Sequence, residues 1–182
     1  MPSLARPAAM PAPKQPDTYF FEDDGWIPNN PRLPLLLYRH AIDLAGTAHP
    51  EDLIERTFNS HGWGDSWRNG IYGYTHYHSR IHEVLGIARG RAWVRFGGKR
   101  GKDIELTAGD VAVLPAGTGH QCRWSAPDLM VIGAYPPKGK YDLCRGSKAE
   151  HDTALQVIPR VPLPDQDPVF GREGPLLALW HK

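Results

Sequence analysis

The sequence predicts an all-β barrel or sandwich with an N-terminal helix and an irregular C-terminal segment. The 182 residues include 19 Gly and 18 Pro, and such a composition disfavours chain-wide helix because both residues favour turns. From residue 70 onward, short apolar segments alternate with turn residues, which is typical of small β barrels and sandwiches. Since no internal repeat is visible, a single barrel is favoured over a duplicated one.

The N-terminal part divides into a tail and the start of one domain. Residues 1–16 are rich in Pro and Ala and predict a disordered tail, whereas residues 17–182 are expected to form a single domain. Leu35–Tyr38 is a predicted strand. Pro50–Ser60 is a predicted helix, because it begins with proline and two acidic residues and carries its apolar residues on one face.

The remaining elements are mostly strands. After Pro136 the chain is irregular, with short helices expected near Ser147–Ala154 and Leu176–Trp180. The predicted strands before it are Ile71–His78, Glu83–Ala88, Arg91–Phe96, Asp103–Leu106, Val111–Leu114, His120–Trp124 and Leu129–Tyr135.

Charge and composition exclude several classes of function. The formal net charge of +1 gives no support to nucleic-acid binding. No apolar stretch approaches the length of a membrane span, and no secretory signal is recognisable, so we expect a cytoplasmic protein. The two cysteines, Cys122 and Cys144, lack metal-site spacing and are expected to stay reduced there, although a single disulfide between them is left open.

Four polar residues in the β region have the chemistry of a metal site. Alternate residues of a strand share one face, so His76 and His78 are expected to present two imidazoles to one cation. Glu83 can add a carboxylate from the next strand. His120, which begins a remote strand after a Pro-containing turn, can supply a fourth ligand.

The spacing of these residues resembles the first motif of the cupin superfamily. That motif has a glycine, five intervening residues and His-x-His, then a glutamate and a final glycine. Here those positions hold Gly70, His76, His78, Glu83 and Gly90.

The second cupin motif is also present, with one departure. The pattern of glycine, Pro-x-Gly and histidine is met by Gly109, Pro115, Gly117 and His120, whereas Trp124 stands where asparagine is usual. The chain also resembles the YjlB-like bacterial single-domain cupins in the sequences IPNNPRLPLLLY, SWRNGIYGYTHYHS and VPLPDQDPVFGREGPLLALW. This resemblance implies a double-stranded β-helix, or jelly-roll barrel, and a homodimer that pairs through sheet edges.

The resemblance also implies one divalent metal ion, held by His76, His78, Glu83 and His120. This donor set does not choose among iron, manganese, nickel, cobalt and zinc. His82 is the alternative to Glu83, because a one-residue slip in register would exchange their faces.

Further residues are expected near the metal by period-two counting. Tyr74 shares its face with His76, whereas Cys122 and Trp124 share theirs with His120, so all three are predicted to line the cavity. Tyr74 and His82 are the candidates for moving a proton.

The expected function is that of a metal-dependent enzyme acting on a small organic substrate by oxygenase chemistry. One carboxylate against a divalent cation leaves a local positive charge, which favours anionic groups such as enolates, carboxylates or phenolates. The alternatives are a metal-dependent isomerase or hydrolase and a non-catalytic small-molecule-binding or sensing module.

Overall fold

The computed structural model describes residues 14–181. Most of the tail predicted for residues 1–16 lies outside these described residues, and residues 14–16 form neither helix nor strand.

Six antiparallel strands form the larger sheet, in the order β1–β2–β7–β4–β9–β3. This order is not the order in sequence, because strands from both halves of the domain interleave. The strands are β1 (Asp17–Tyr19), β2 (Leu35–Tyr38), β3 (Gly64–Asn69), β4 (Glu83–Arg89), β7 (Val111–Leu114) and β9 (Met130–Tyr135).

Three strands form the smaller antiparallel sheet, in the order β6–β5–β8. They are β5 (Arg91–Phe96), β6 (Lys102–Thr107) and β8 (His120–Ser125). The α-helices are α1 (Pro50–Ser60), α2 (Lys148–Val157) and α3 (Pro175–Trp180), and short 3-10 helices cover Gly98–Arg100 and Ile158–Arg160.

The two sheets enclose one apolar core. Leu85 and Ile87 from the larger sheet pack in the same cluster as Val94 and Phe96 from the smaller one, and all four are almost fully buried. Alternate residues of β4 therefore point inward, as the pleat requires. The architecture is the double-stranded β-helix expected from the sequence.

The outer face of the larger sheet is covered by helices. Val84 of β4 belongs to a second buried cluster with Ile54 and Phe58 of α1 and with Leu176 and Trp180 of α3. Because both faces of β4 are buried, the strand is apolar along most of its length. The predicted N-terminal helix and C-terminal segment thus cover the barrel from the outside.

The local structure departs from the prediction in three places, because β1 and β3 were not predicted and one predicted strand is not continuous. β3 was missed because its sequence, GDSWRN, is polar and lacks alternation, as an edge strand of the sheet allows. Ile71–His78 is not a continuous strand. Two isolated bridges, His76 with His120 and Tyr77 with Cys144, hold its end instead.

Among the described residues, no helix has the length and apolar character needed to cross a membrane. The cytoplasmic location and the homodimer stay predictions.

A glycine in β4 allows α1 to approach the sheet. A Cβ atom added at Gly86 would lie 2.6 Å from Ile54 Cγ2 and 2.8 Å from Phe58 Cζ. We expect Gly86→Ala to lower the free energy of unfolding by about 1–3 kcal/mol through overpacking, measured by urea denaturation. Gly73→Ala is the control, since its Cβ would meet no atom within 4 Å. Equal stability of the two variants would contradict this packing.

An ion pair connects α2 to the segment between β1 and β2. The hydrogen bond between His151 Nε2 and Asp23, at 2.9 Å, raises the pKa of His151 above its usual range. A raised folded-state pKa means that the stabilisation is complete below about pH 6.5 and is lost as the pH rises through the folded-state value. We expect His151→Gln to be more destabilising at pH 6 than at pH 9 in urea denaturation. A difference that grows with pH would contradict the assignment.

Candidate metal centre

Three histidines converge on one point at one end of the barrel. His76 and His78 lie on the extended segment before β4, and His120 is the first residue of β8. Reciprocal backbone hydrogen bonds join His76 and His120, at 3.1 and 2.9 Å. All three side chains are buried, and one ring nitrogen of each lies within 4.8 Å of those of the other two.

The other ring nitrogen of each histidine contacts a backbone carbonyl. Nδ1 of His76 lies 3.1 Å from the carbonyl oxygen of Tyr74, and Nδ1 of His120 lies 3.1 Å from that of Thr118. Nδ1 of His78 contacts the carbonyl oxygen of Asp142. Since a carbonyl oxygen only accepts, each neutral ring carries its proton on Nδ1 and offers the lone pair of Nε2. This is the usual orientation of metal-binding histidines.

Glu83 completes the cluster from the start of β4. Its Oε2 lies 3.3 Å from His78 Nε2 and 3.2 Å from His120 Nε2. Its Oε1 accepts a 3.1 Å hydrogen bond from the Tyr135 hydroxyl, which in turn accepts a 3.0 Å bond from Trp67 Nε1. The Trp67–Tyr135–Glu83 chain therefore turns Oε2 toward the histidines.

Charges and burial act against each other in the site. Burial raises the pKa of Glu83, but His78 and His120 outweigh it and hold that pKa below its usual range. Burial lowers the pKa of His78, but the Glu83 carboxylate raises it to about 8. Burial, with the adjacent His120, lowers the pKa of His76 to about 3. At neutral pH the site therefore pairs an ionised Glu83 carboxylate with a protonated His78, whereas His76 is neutral.

The donor atoms fit a divalent cation. Glu83 Oε2 is fully buried, and unless His78 or His120 carries a proton on Nε2 it has no hydrogen-bond donor among the described residues, a state that is costly without compensation. If the three rings are neutral, their Nε2 atoms are lone pairs that cannot compensate it. A cation shared by these nitrogens and the carboxylate oxygen would satisfy all four, and nitrogen with one carboxylate suits the first-row divalent metals.

The turn before His120 is fastened by two adjacent asparagines. Asn29 Oδ1 accepts from the backbone N–H of Gly119 at 3.1 Å, and Asn30 Nδ2 donates to the carbonyl of Ala116 at 2.9 Å. Asn29 is buried and adopts a left-handed backbone, with φ of 53°, which is uncommon outside glycine. Sequence analysis missed both residues, because their partners lie far along the chain.

His82 lies on the face of the chain opposite Glu83. Its Nδ1 accepts a 2.9 Å hydrogen bond from the backbone N–H of Ala116, and its ring packs 4.8 Å from that of Trp180. Burial lowers the pKa of His82 to about 4. The structure thus places Glu83, and not His82, with the three histidines. His82 supports the turn that carries His120 and lies away from the cavity.

None of the three predicted lining residues lines the cavity. A β-bulge at Arg123 breaks the period-two counting, so Trp124 lies opposite Trp93 on the outer face and is half-exposed. Cys122 packs against the core between the sheets, and its thiol is free. Tyr74 stacks on Tyr72, outside the cavity wall.

A cavity of about 300 Å³ opens above the cluster, a volume at the lower end of small-molecule sites. Its wall includes residues that sequence analysis missed, because no motif marks them and long-range pairing brings them together. They are Trp67 and Arg68 on β3, Tyr135 on β9, and Tyr141. Tyr141 and Tyr72 are half-exposed, so the cavity reaches the surface.

The jelly-roll fold, with a His-x-His pair, a glutamate and a remote histidine at one end, defines the chain as a cupin. It is 43% identical over 169 residues to the uncharacterized protein YjlB of Bacillus subtilis (strain 168), covering 93% of this chain and 99% of YjlB. The chain therefore belongs to the YjlB family of cupins. No protein-family model matches it.

Solved structures give more distant similarities. Acireductone dioxygenase from Bacillus anthracis, with a cadmium ion in its active centre, is 16% identical with a TM-score of 0.36, covering 58% of this chain and 80% of that one. A Klebsiella pneumoniae protein with a double-stranded β-helix domain is 14% identical with a TM-score of 0.36, covering 79% and 86%. At this distance neither neighbour's activity transfers to this chain.

The Tyr135 hydroxyl is expected to position Glu83. Tyr135→Phe removes the donor to Glu83 Oε1 and leaves Trp67 Nε1 without its acceptor. Losing a partner that orients a metal ligand typically costs 10–100-fold in metal affinity, so we expect a loss of about that size for Zn(II) in a chelator competition. Tyr141→Phe is the control, since that residue contacts His78 but makes no hydrogen bond to Glu83. Equal affinities for the two variants would contradict the positioning role.

Proposed function

We propose that the chain is a metal-dependent enzyme that acts on a small organic substrate by oxygenase chemistry. One observation carries the proposal. Three imidazole nitrogens and one ionised carboxylate meet at the bottom of a cavity that reaches the surface. A purely structural site would need no cavity beside the ligands.

His76, His78, Glu83 and His120 would hold the metal. When bound, a redox-active metal such as iron supplies electrons to dioxygen beside the substrate, whereas a redox-inert one supplies Lewis acidity alone. Iron, manganese, nickel, cobalt and zinc all suit the donor set. The single carboxylate charge leaves a net positive charge with any divalent ion, which favours a substrate with an anionic or readily ionised oxygen.

The chain's own residues shape access to this centre. His78 and Glu83 are buried at the cavity floor, so a substrate reaches them from the open side only. Leu85 and Ile71 add apolar wall, which limits the water around a bound molecule. The Tyr135 hydroxyl donates a hydrogen bond to Glu83, so it serves to hold the carboxylate. Neither Tyr74 nor His82 reaches the cavity wall, which removes the geometric basis for their proposed proton transfer.

Oxygen consumption tests the proposal. The Fe(II)-loaded protein is expected to take up oxygen with at least one member of a panel of diketones, thiols and phenols. His78→Ala should lower that rate at least about 100-fold, because it removes a ligand and an oriented hydrogen bond. Oxygen electrode rates, together with elemental analysis of each preparation, measure the effect.

His49→Ala is the matched control, since His49 is an exposed histidine outside the cavity. A matching loss in both variants would show that the activity is not at this site. Substrate turnover without oxygen uptake would instead support the isomerase or hydrolase alternative. Saturable binding without any turnover would support the binding or sensing module.

A further inference from the structure

Two half-exposed tyrosines stand at the mouth of the cavity, beside the histidines. Tyr72 is 49% exposed, and its ring centroid lies 5.1 Å from that of His76. Tyr141 is 51% exposed, and its ring centroid lies 5.0 Å from that of His78. Exposed aromatic rings beside a buried polar centre mark a contact surface for a ligand.

The Tyr72 ring is held in place from one side. Tyr74 stacks on it at 4.8 Å with an interplanar angle of 13°, and the Arg145 guanidinium lies 3.9 Å from the centre of the Tyr74 ring. Of these three residues, Tyr72 is the one that lines the cavity. The exposed surface of Tyr72 therefore remains available to a ligand at the mouth of the cavity.

The deeper wall also presents ring surface. The Trp67 indole N–H and the Tyr135 hydroxyl are engaged with each other and with Glu83. Their polar atoms are thus satisfied within the protein, and their rings and the Leu85 side chain remain for a ligand. This part of the wall therefore presents aromatic and aliphatic surface above the metal-ligating residues.

The positive charge of Arg68, which also lines the cavity, is already compensated. Its guanidinium makes a 2.8 Å ion pair with Asp52 and a second ion pair with Glu55, both on α1. Arg68 is therefore not free to bind a substrate with several negative charges, such as a phosphorylated sugar.

We propose that this cavity takes a small planar aromatic molecule with an oxygen donor that reaches the metal, its ring lying against Tyr72 and Tyr141 at the mouth of the cavity. This inference rests on the proposed metal centre. It narrows the substrate class to phenols and related aromatic oxygen compounds, in preference to saturated or multiply phosphorylated molecules.

Three hydroxamates with one metal-binding group and different substituents test the proposal. They are acetohydroxamate, cyclohexanecarbohydroxamate and benzohydroxamate, titrated into the Co(II)-loaded protein by calorimetry and by the cobalt visible spectrum. Each affinity is divided by the same compound's affinity for aqueous Co(II). We expect benzohydroxamate to bind about 3–10-fold more tightly than the cyclohexane compound, because an aromatic pair adds to what burial alone provides.

Variants of the tyrosines at the cavity mouth test whether their rings cause the aromatic preference. The double variant Tyr72→Leu, Tyr141→Leu should lower the aromatic preference, whereas Tyr72→Phe should keep it. Trp93→Leu, which removes an exposed ring on the outer face of the smaller sheet, should also keep it. Equal binding of the benzene and cyclohexane compounds by the unmodified protein would overturn the aromatic proposal alone. If Co(II) is bound but no hydroxamate changes its spectrum, the substrate proposal is overturned; if the protein binds no Co(II), the metal centre itself is overturned.

Discussion

A buried carboxylate oxygen that needs a proton or a cation beside it is the constraint on which this site depends. Glu83 Oε2 lies among the Nε2 atoms of the histidines. The Nδ1 atoms of the same rings already contact backbone carbonyls. An arrangement of this kind is unfavourable in a low-dielectric interior unless a proton or a cation neutralises it. The surrounding structure holds the carboxylate in this position, because the Tyr135 hydroxyl bonds to Oε1 and leaves Oε2 facing the histidines.

The jelly roll meets this constraint by bringing together segments that are remote in sequence. β4 supplies Glu83 at its first residue, β8 supplies His120 at its first residue, and the bridged segment between β3 and β4 supplies the other two histidines. Asn29 adopts the left-handed backbone conformation, and its side-chain oxygen accepts a hydrogen bond from the Gly119 N–H. Apolar packing on both faces of β4 fixes the strand that carries Glu83, as a preorganised site requires.

Much of the fold, and the proximity of the four donor residues, could be predicted from spacing. Period-two alternation separates His82 from Glu83, and the structure places them on opposite faces. The same counting failed for Trp124, because a β-bulge is a feature of pairing and leaves no local sequence signal. The cavity wall was missed because β3 is a polar edge strand and because Tyr135 and Tyr141 reach the site through long-range contacts.

X-ray absorption at the cobalt edge of the metal-loaded protein tests the central claim most directly, since it reports the atoms bound to the ion without requiring a substrate. Imidazole rings give a characteristic multiple-scattering pattern whose amplitude follows their number. The account predicts three imidazole nitrogens together with carboxylate oxygen in the first coordination shell. A spectrum with one imidazole or none, and otherwise water oxygen, would contradict it.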